Sequence, residues 1–351
     1  MPPANPDPGV FPRSIGGIMA PVVADGSMPE PQPVLSQLTA AAIFLVVSVS
    51  PGGEDVARDL LSDMAALQRS VGFRIPDAQL ECVAAIGSNA WDRLFSGPRP
   101  RQLHPFRPLN GARHRAPATS GDLFLHLRAT RMDMCFEFAT QVMKRLAGYV
   151  TVDDEVHGFR YFDERDLLGF VDGTESPNGR AAQTAALVTL DDDPDFAGGS
   201  YAIVQKYVHD MSAWNALPVE EQEQAIGRSK LDDIEIPDDQ KAPNSHVALN
   251  TITNPDGTES KIVRANMPFG DVGRGEFGTY YISYSADTDV TEEMLTNMFI
   301  GDPPGNTDRI LDFSTAVTGG LFFAPSASFL ENLPSAPSDR TGLGIGSLKG
   351  Q

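Results

Sequence analysis

The sequence predicts an α+β fold: two ferredoxin-like domains, each an antiparallel sheet with peripheral helices. Three observations carry this. Stretches with apolar residues at period two or in short continuous runs alternate with stretches at helical spacing. In the first half their order is strand, helix, strand, strand, helix, strand, the ferredoxin-like arrangement. The succession repeats after residue 199 in element type, though not in residue identity. The expected organisation is a proline-rich arm over 1–35, a first domain over 36–155, a second over 156–330 and a flexible tail over 331–351.

Each element has its own reason. Residues 1–35 hold nine of the 28 prolines, which forbids a continuous helix or a central strand. We read an extended arm, mobile or draped over a neighbouring subunit. Residues 39–49 are rich in β-branched and apolar residues and read as a buried strand. Residues 52–70 have helical spacing with acids in the first turn. Residues 80–87 and 122–129 are strands, 132–146 a helix and 148–158 a further extended stretch. In the second half, 199–208, 261–265, 278–285 and 317–324 read as strands. Residues 211–228 and 290–300 read as helices, with Thr291 near the cap of the latter. His126, inside the strand DLFLHLRA, is expected in a core or at an edge.

The chain has 351 residues and a net charge of −20, which argues against nucleic acid or an anionic membrane as its main partner. Its two cysteines, Cys82 and Cys135, form no CxxC pair, so a disulfide framework or zinc site is not expected. The N-terminus lacks a basic region followed by an apolar core. The strongest apolar run, 38–49, is too short to span a bilayer. A soluble cytoplasmic protein is expected.

The chemistry concentrates in three segments. In Gly169-Phe170-Val171-Asp172-Gly173-Thr174-Glu175-Ser176-Pro177 an acid sits between glycines in a turn-prone loop. Glycines let the backbone approach a flat ligand, and a fixed acid can move a proton on a small substrate. The same Asp172 could simply cap a D-G turn. His246 lies in PNSHVALN, where a lone histidine can be an ordinary hydrogen-bonded residue or a metal ligand. Eighteen residues on (264 − 246), Arg264 and Asn266 share one face of a strand by period two. Arg264 could stabilise an anion or pair with a surface acid.

The pattern G-x-x-D-G followed by T-E resembles the signature of the dye-decolorising peroxidases, a family of haem enzymes. His246, in its H-V segment, stands where that family has its proximal ligand. Ile262 to Gly270 resembles the distal segment. The resemblance implies one haem b per chain with its iron on His246, and hydrogen peroxide and a one-electron donor as substrates. Asp172 would move the proton, Arg264 would stabilise negative charge, and Asn266 would orient peroxide or water. Gly173, Thr174 and Glu175 would lie at the macrocycle edge. Arg228, in I-G-R-S-K, would meet a propionate. Trp91, Trp214, Tyr207, Tyr280, Tyr281 and Tyr284 could relay electrons, although strand tyrosines usually serve packing.

The tail places Leu343, Ile345 and Leu348 among Gly346, Ser347 and Lys349 in an otherwise polar end. Such aliphatics suit docking in a groove. The segment resembles the cargo-loading peptide by which these peroxidases enter encapsulin shells. That implies packaging inside an encapsulin nanocompartment in the cytoplasm, and the proline-rich arm with an open sheet pair favours a homo-oligomer. Two other readings use the same residues: a haem- or iron-handling protein with little turnover, and a shell-interaction protein without catalysis.

Overall fold

The computed structural model describes residues 27–337. Its centre is β1 (Ala41–Val49), a strand hydrogen-bonded on both sides and buried on both faces. This is why its sequence, AAIFLVVSV, is a nearly unbroken apolar run. α1 (Glu54–Gly72), β2 (Glu81–Gly87), β3 (Leu123–Ala129), α2 (Met132–Arg145) and β4 (Val150–Phe159) complete the first half. Its strands lie in the order β2-β3-β1-β4. α1 and α2 cover one face. Leu60, Leu61 and Met64 of α1 and Phe138 and Val142 of α2 meet Ile43, Leu45 and Leu125 there.

The second half is built from β5 (Ser200–His209), α3 (Met211–Asn215), α4 (Val219–Ile226), α5 (His246–Asn250), β6 (Val263–Arg264), β7 (Met267–Asp271), β8 (Glu276–Ser285), α6 (Thr288–Phe299), β9 (Ser314–Ala316) and β10 (Gly320–Ala324). β6 and β7 both pair with β8, and the order continues β8-β5-β10. That is the first half's order again. The two sheets also join edge to edge, through Phe322↔Gly87 and Phe323↔Ile86. Their far ends meet as well. A Cβ at Gly158 of β4 would lie 2.8 Å from the Met267 Cβ of β7, so only glycine allows this contact. The curled sheet encloses a second core of Phe44, Phe124, Phe269, Tyr280, Tyr284 and Phe322.

His126 lies in that core. It stacks on Phe44 at 4.8 Å, and its Nδ1 is 3.0 Å from the Tyr284 hydroxyl. Burial holds it well below the usual histidine range, hence neutral. Trp91 packs among Phe95, Phe196, Phe323 and Phe329. Both cysteines are free and buried.

The junction between the halves is short, and a strap closes it. Gln32 is buried; its Nε2 donates to the carbonyls of Ala84 and Pro325, each at 2.8 Å, and its Oε1 accepts from the Ala84 N–H at 2.8 Å. Arg128 reaches the carbonyls of Pro33 and Ser36. The last residues of the proline-rich segment therefore lie on their own chain, sealing β2 to the segment after β10. Gln32→Ala would leave three buried backbone groups unpartnered. We expect it to lower unfolding stability by about 2–3 kcal/mol, read as a lower urea midpoint. A shift below about 0.5 kcal/mol would refute the strap.

Three local expectations are corrected. The helix expected over 211–228 is two helices, because Pro218 lacks an N–H and disfavours helical geometry before it. The cap of α6 is Asp287, which accepts from the Asp289 N–H at 2.8 Å; Thr291 is buried inside the helix. The strand expected over 317–324 starts only at Gly320, as β10, and the short β9 over Ser314–Ala316 precedes it.

Candidate active site

The loop after β4 forms one wall of a cavity of about 1420 Å³ of atom-free space, its open mouth included. Arg165 and Val171 bridge across the loop's neck, and the Asp172 N–H donates to the Glu164 carbonyl at 3.0 Å. Gly169 (φ +94°) and Gly173 (φ +80°) adopt conformations that side chains resist. A Cβ at Gly173 would meet nothing within 4 Å, so the loop leaves open space beside Asp172. The remaining walls are largely apolar: Leu168, Ile226, Val247, Met294, Met298 and Ile310.

His246 is the first residue of α5, whose N-cap is Ser245. Its Nδ1 donates to Asp308 Oδ2 at 2.7 Å, so Nε2 is the nitrogen left for the cavity. Asp308 is fully buried, and its Oδ1 accepts from the Ile310 N–H at 3.0 Å. Asn250 braces the pair, donating to the His246 carbonyl at 2.8 Å. Sequence reasoning missed Asp308. Nothing local in N-T-D-R marks it as the partner of a histidine 62 residues earlier; it reads as an ordinary turn cap.

β6 and β7 run in one register along β8, Arg264 opposite Ser283 and Met267 opposite Tyr280. Alternation buries Val263, Ala265 and Met267 in the enclosed core and turns Arg264 and Asn266 to the cavity. The ladder breaks at Asn266 because its side-chain Oδ1 takes the Ile282 N–H at 3.0 Å. That fixes the amide, and Nδ2 donates to Asp172 Oδ1 at 3.2 Å. Asn266 therefore holds Asp172. The Arg264 backbone N–H donates to Ser176 Oγ at 3.2 Å, while its guanidinium has no ion pair or hydrogen bond among the described residues. A surface acid does not claim it.

At the rim the cations are already committed. Arg228 meets Asp233 at 2.8 Å, Glu175 at 3.1 Å and Glu235 at 3.6 Å. Its guanidinium is thus engaged by three carboxylates at the rim. It ties Glu175 down. Thr174 Oγ1 donates to Asp233 at 2.8 Å, and Lys261 pairs with Glu175 at 3.3 Å. His209 also lines the cavity, hydrogen-bonded to Ser314 and Thr279; burial pulls it down to about 4. Tyr207 and Tyr281 border the cavity. Tyr280, Tyr284 and Trp91 do not, and Trp214 is buried behind Phe170.

Duplicated ferredoxin-like halves thus hold an imidazole–carboxylate pair, an acid and an unpaired guanidinium in one cavity, a set suited to a peroxidase. Family models specify which kind: the Dyp-type peroxidase N-terminal domain matches residues 31–160 and the C-terminal domain residues 163–329. The chain belongs to the dye-decolorising, Dyp-type peroxidase family. A dye-decolorizing peroxidase of Mycolicibacterium paratuberculosis is 61% identical over 330 residues, 92% of this chain and 93% of its own. One from Mycobacterium tuberculosis is 60% identical, over 91% of this chain and 97% of its own. Among solved structures, the encapsulated DyP-type peroxidase from Mycobacterium smegmatis matches with a TM-score of 0.86 at 62% identity, covering 88% of this chain and 100% of that one. A variant of DypB from Rhodococcus jostii RHA1, solved in complex with heme, matches with a TM-score of 0.85 at 52% identity, over 88% and 100%.

Proposed function

We propose that this peroxidase carries one haem b, reduces hydrogen peroxide, oxidises dyes, phenols or other one-electron donors, and works as encapsulin cargo in the cytoplasm. The observation that carries the reading is His246, backed by a buried carboxylate, in the same cavity as Asp172 and an unpaired Arg264. The residues fit the cofactor. Nε2 is the one nitrogen of His246 not held by protein, the walls are apolar, and Gly173 opens space for a planar edge. Among the described residues, no cluster of three or more acids, histidines or cysteines could hold a bare ion. A single imidazole suits a metal that brings its own macrocycle.

When bound, haem supplies the redox chemistry. The chain supplies the rest. His246 would hold the iron, and Asp308 would orient the ring and raise its basicity. Asp172, aimed by Asn266, would take a proton from hydrogen peroxide and return it to the departing oxygen. Arg264 would stabilise the negative charge that develops, at no cost of breaking another bond. Gly173, Thr174 and Glu175 would border the macrocycle, held by Arg228 and Lys261.

The tail residues Leu343, Ile345, Gly346, Ser347, Leu348 and Lys349 lie outside the described residues. Their docking role is supported by the sequence and by the M. smegmatis relative having been solved as an encapsulated peroxidase. Several tails on a homo-oligomer would add avidity. No helix among the described residues is long and apolar enough to cross a membrane.

The test has two arms. The purified protein should show a Soret band and oxidise a dye with hydrogen peroxide. Deleting residues 340–351 should leave turnover intact and abolish co-purification with the shell protein. A colourless chain that takes up no added haem would end the reading.

A further inference from the structure

The loop that carries Asp172 holds a second carboxyl, which the chemistry above does not use. Asp166 lines the same cavity, half-buried, its remaining exposure opening into that space. It stands at the loop's entry. Its Oδ1 accepts from the Phe170 N–H at 3.0 Å, and its own N–H donates to the Phe170 carbonyl at 2.8 Å. The Gly169 N–H donates to the Asp166 carbonyl at 3.1 Å. This closed turn, with Gly169 at φ +94°, ends two residues before Asp172. We propose that Asp166 is a positioning residue for Asp172: one oxygen fixes the loop, and the group's charge sets the strength of Asp172 as a base. The role presupposes Asp172 as the proton acceptor.

Four charged groups surround Asp166. Asp172 lies on the same loop and lines the same cavity, and its charge acts on Asp166. Lys230, from the segment after α4, packs on Gly169, with its ammonium 5.4 Å over the Phe170 ring. Arg165, next in the chain, has its guanidinium engaged by the carbonyls of Gly169, Lys230 and Leu231. Glu223 of α4 accepts the Lys230 N–H at 2.8 Å. Burial, and after it the charge of Asp172, push Asp166 up to about 7, against the pull of three backbone N–H groups. Burial also draws Lys230 down, against the pull of Asp166. Near neutral pH, then, Asp166 switches between a neutral and a charged neighbour of Asp172. Two like charges lining one cavity oppose each other. A charged Asp166 makes its partner the stronger base.

Asp166→Asn separates the two parts of the role. The amide oxygen still accepts from Phe170 N–H, but the charge is gone. In the parent holoenzyme, the second-order rate with hydrogen peroxide should rise about threefold as pH passes from 6 to 8, as the charge gained by Asp166 strengthens the base. In the variant that rise should be absent. A second readout needs no turnover. A carboxyl whose proton affinity is raised by folding, from 3.8 to about 7, costs stability as pH rises through that window and no more above it. The thermal midpoint of the parent should therefore fall between pH 4 and 7 relative to that of Asp166→Asn, and the gap should be constant above. Parallel thermal and rate profiles in the two proteins would reduce Asp166 to a turn cap and overturn the proposal. If the parent shows no haem or turnover, the functional reading fails, while the thermal comparison still decides whether Asp166 carries the switch.

Discussion

Arg264→Leu is expected to slow the reaction with hydrogen peroxide by about 10²- to 10³-fold, the loss typical of removing one preorganised donor from a developing negative charge. The chain carries 47 acidic residues against 27 lysines and arginines. In such an excess of acids a guanidinium without a carboxylate is reserved for something else. Leucine removes the charge while keeping most of the stem's bulk, and no side-chain bond is lost, because among the described residues the only hydrogen bond at this position is from the backbone to Ser176. Folding and haem content should be unchanged, so the effect should fall on the rate of the peroxide reaction measured by stopped flow. Arg264→Lys should recover part of it: the charge returns, the planar fork does not. If Arg264→Leu reacted with peroxide within about threefold of the parent, the charge-stabilising role would pass from Arg264 to other cavity groups.

What could be read in advance follows the range of each physical signal. β1 was legible because a strand covered on both faces must be apolar throughout. The Arg264–Asn266 pair was legible because period two is local. Pro218 also acts locally, yet the helical spacing on both sides of it masked the break. Other features have no local signature. Gln32 lies in a proline-rich stretch, and only the folded chain shows that it satisfies Ala84 and Pro325 together. Asp308 looks like a cap, which it is, and the bond that gives it meaning spans 62 residues. Arg228 had the right motif; Asp233 and Glu235 lie close by in sequence, but only the folded chain brings Glu175 to the same guanidinium. Local patterns thus located the groups of the cavity, and long-range hydrogen bonds decided which of them are free.

Asp308→Asn should weaken haem retention by about 10- to 100-fold, the usual consequence of losing the outer partner of a metal-binding histidine. The argument starts from burial. A fully buried carboxylate is costly unless hydrogen-bonded, and this one is satisfied by the Ile310 N–H, the His246 Nδ1–H and, more distantly at 3.4 Å, Asn250. Its negative charge draws the Nδ1 proton and makes Nε2 a better donor to a metal. Asparagine keeps the shape and can still accept from Ile310, so the cap survives; the charge does not. Haem transfer to an excess of apomyoglobin measures the loss directly. The reduction potential of the bound haem should rise as well, because a less basic imidazole stabilises the oxidised iron less. Asp308→Ala would add the loss of the cap, about 1 kcal/mol, and would lower the thermal midpoint where the asparagine variant does not. Should Asp308→Asn hold haem as tightly as the parent at an unchanged potential, the carboxylate would be acting as a cap alone, and the tuning of His246 would have to come from Asn250.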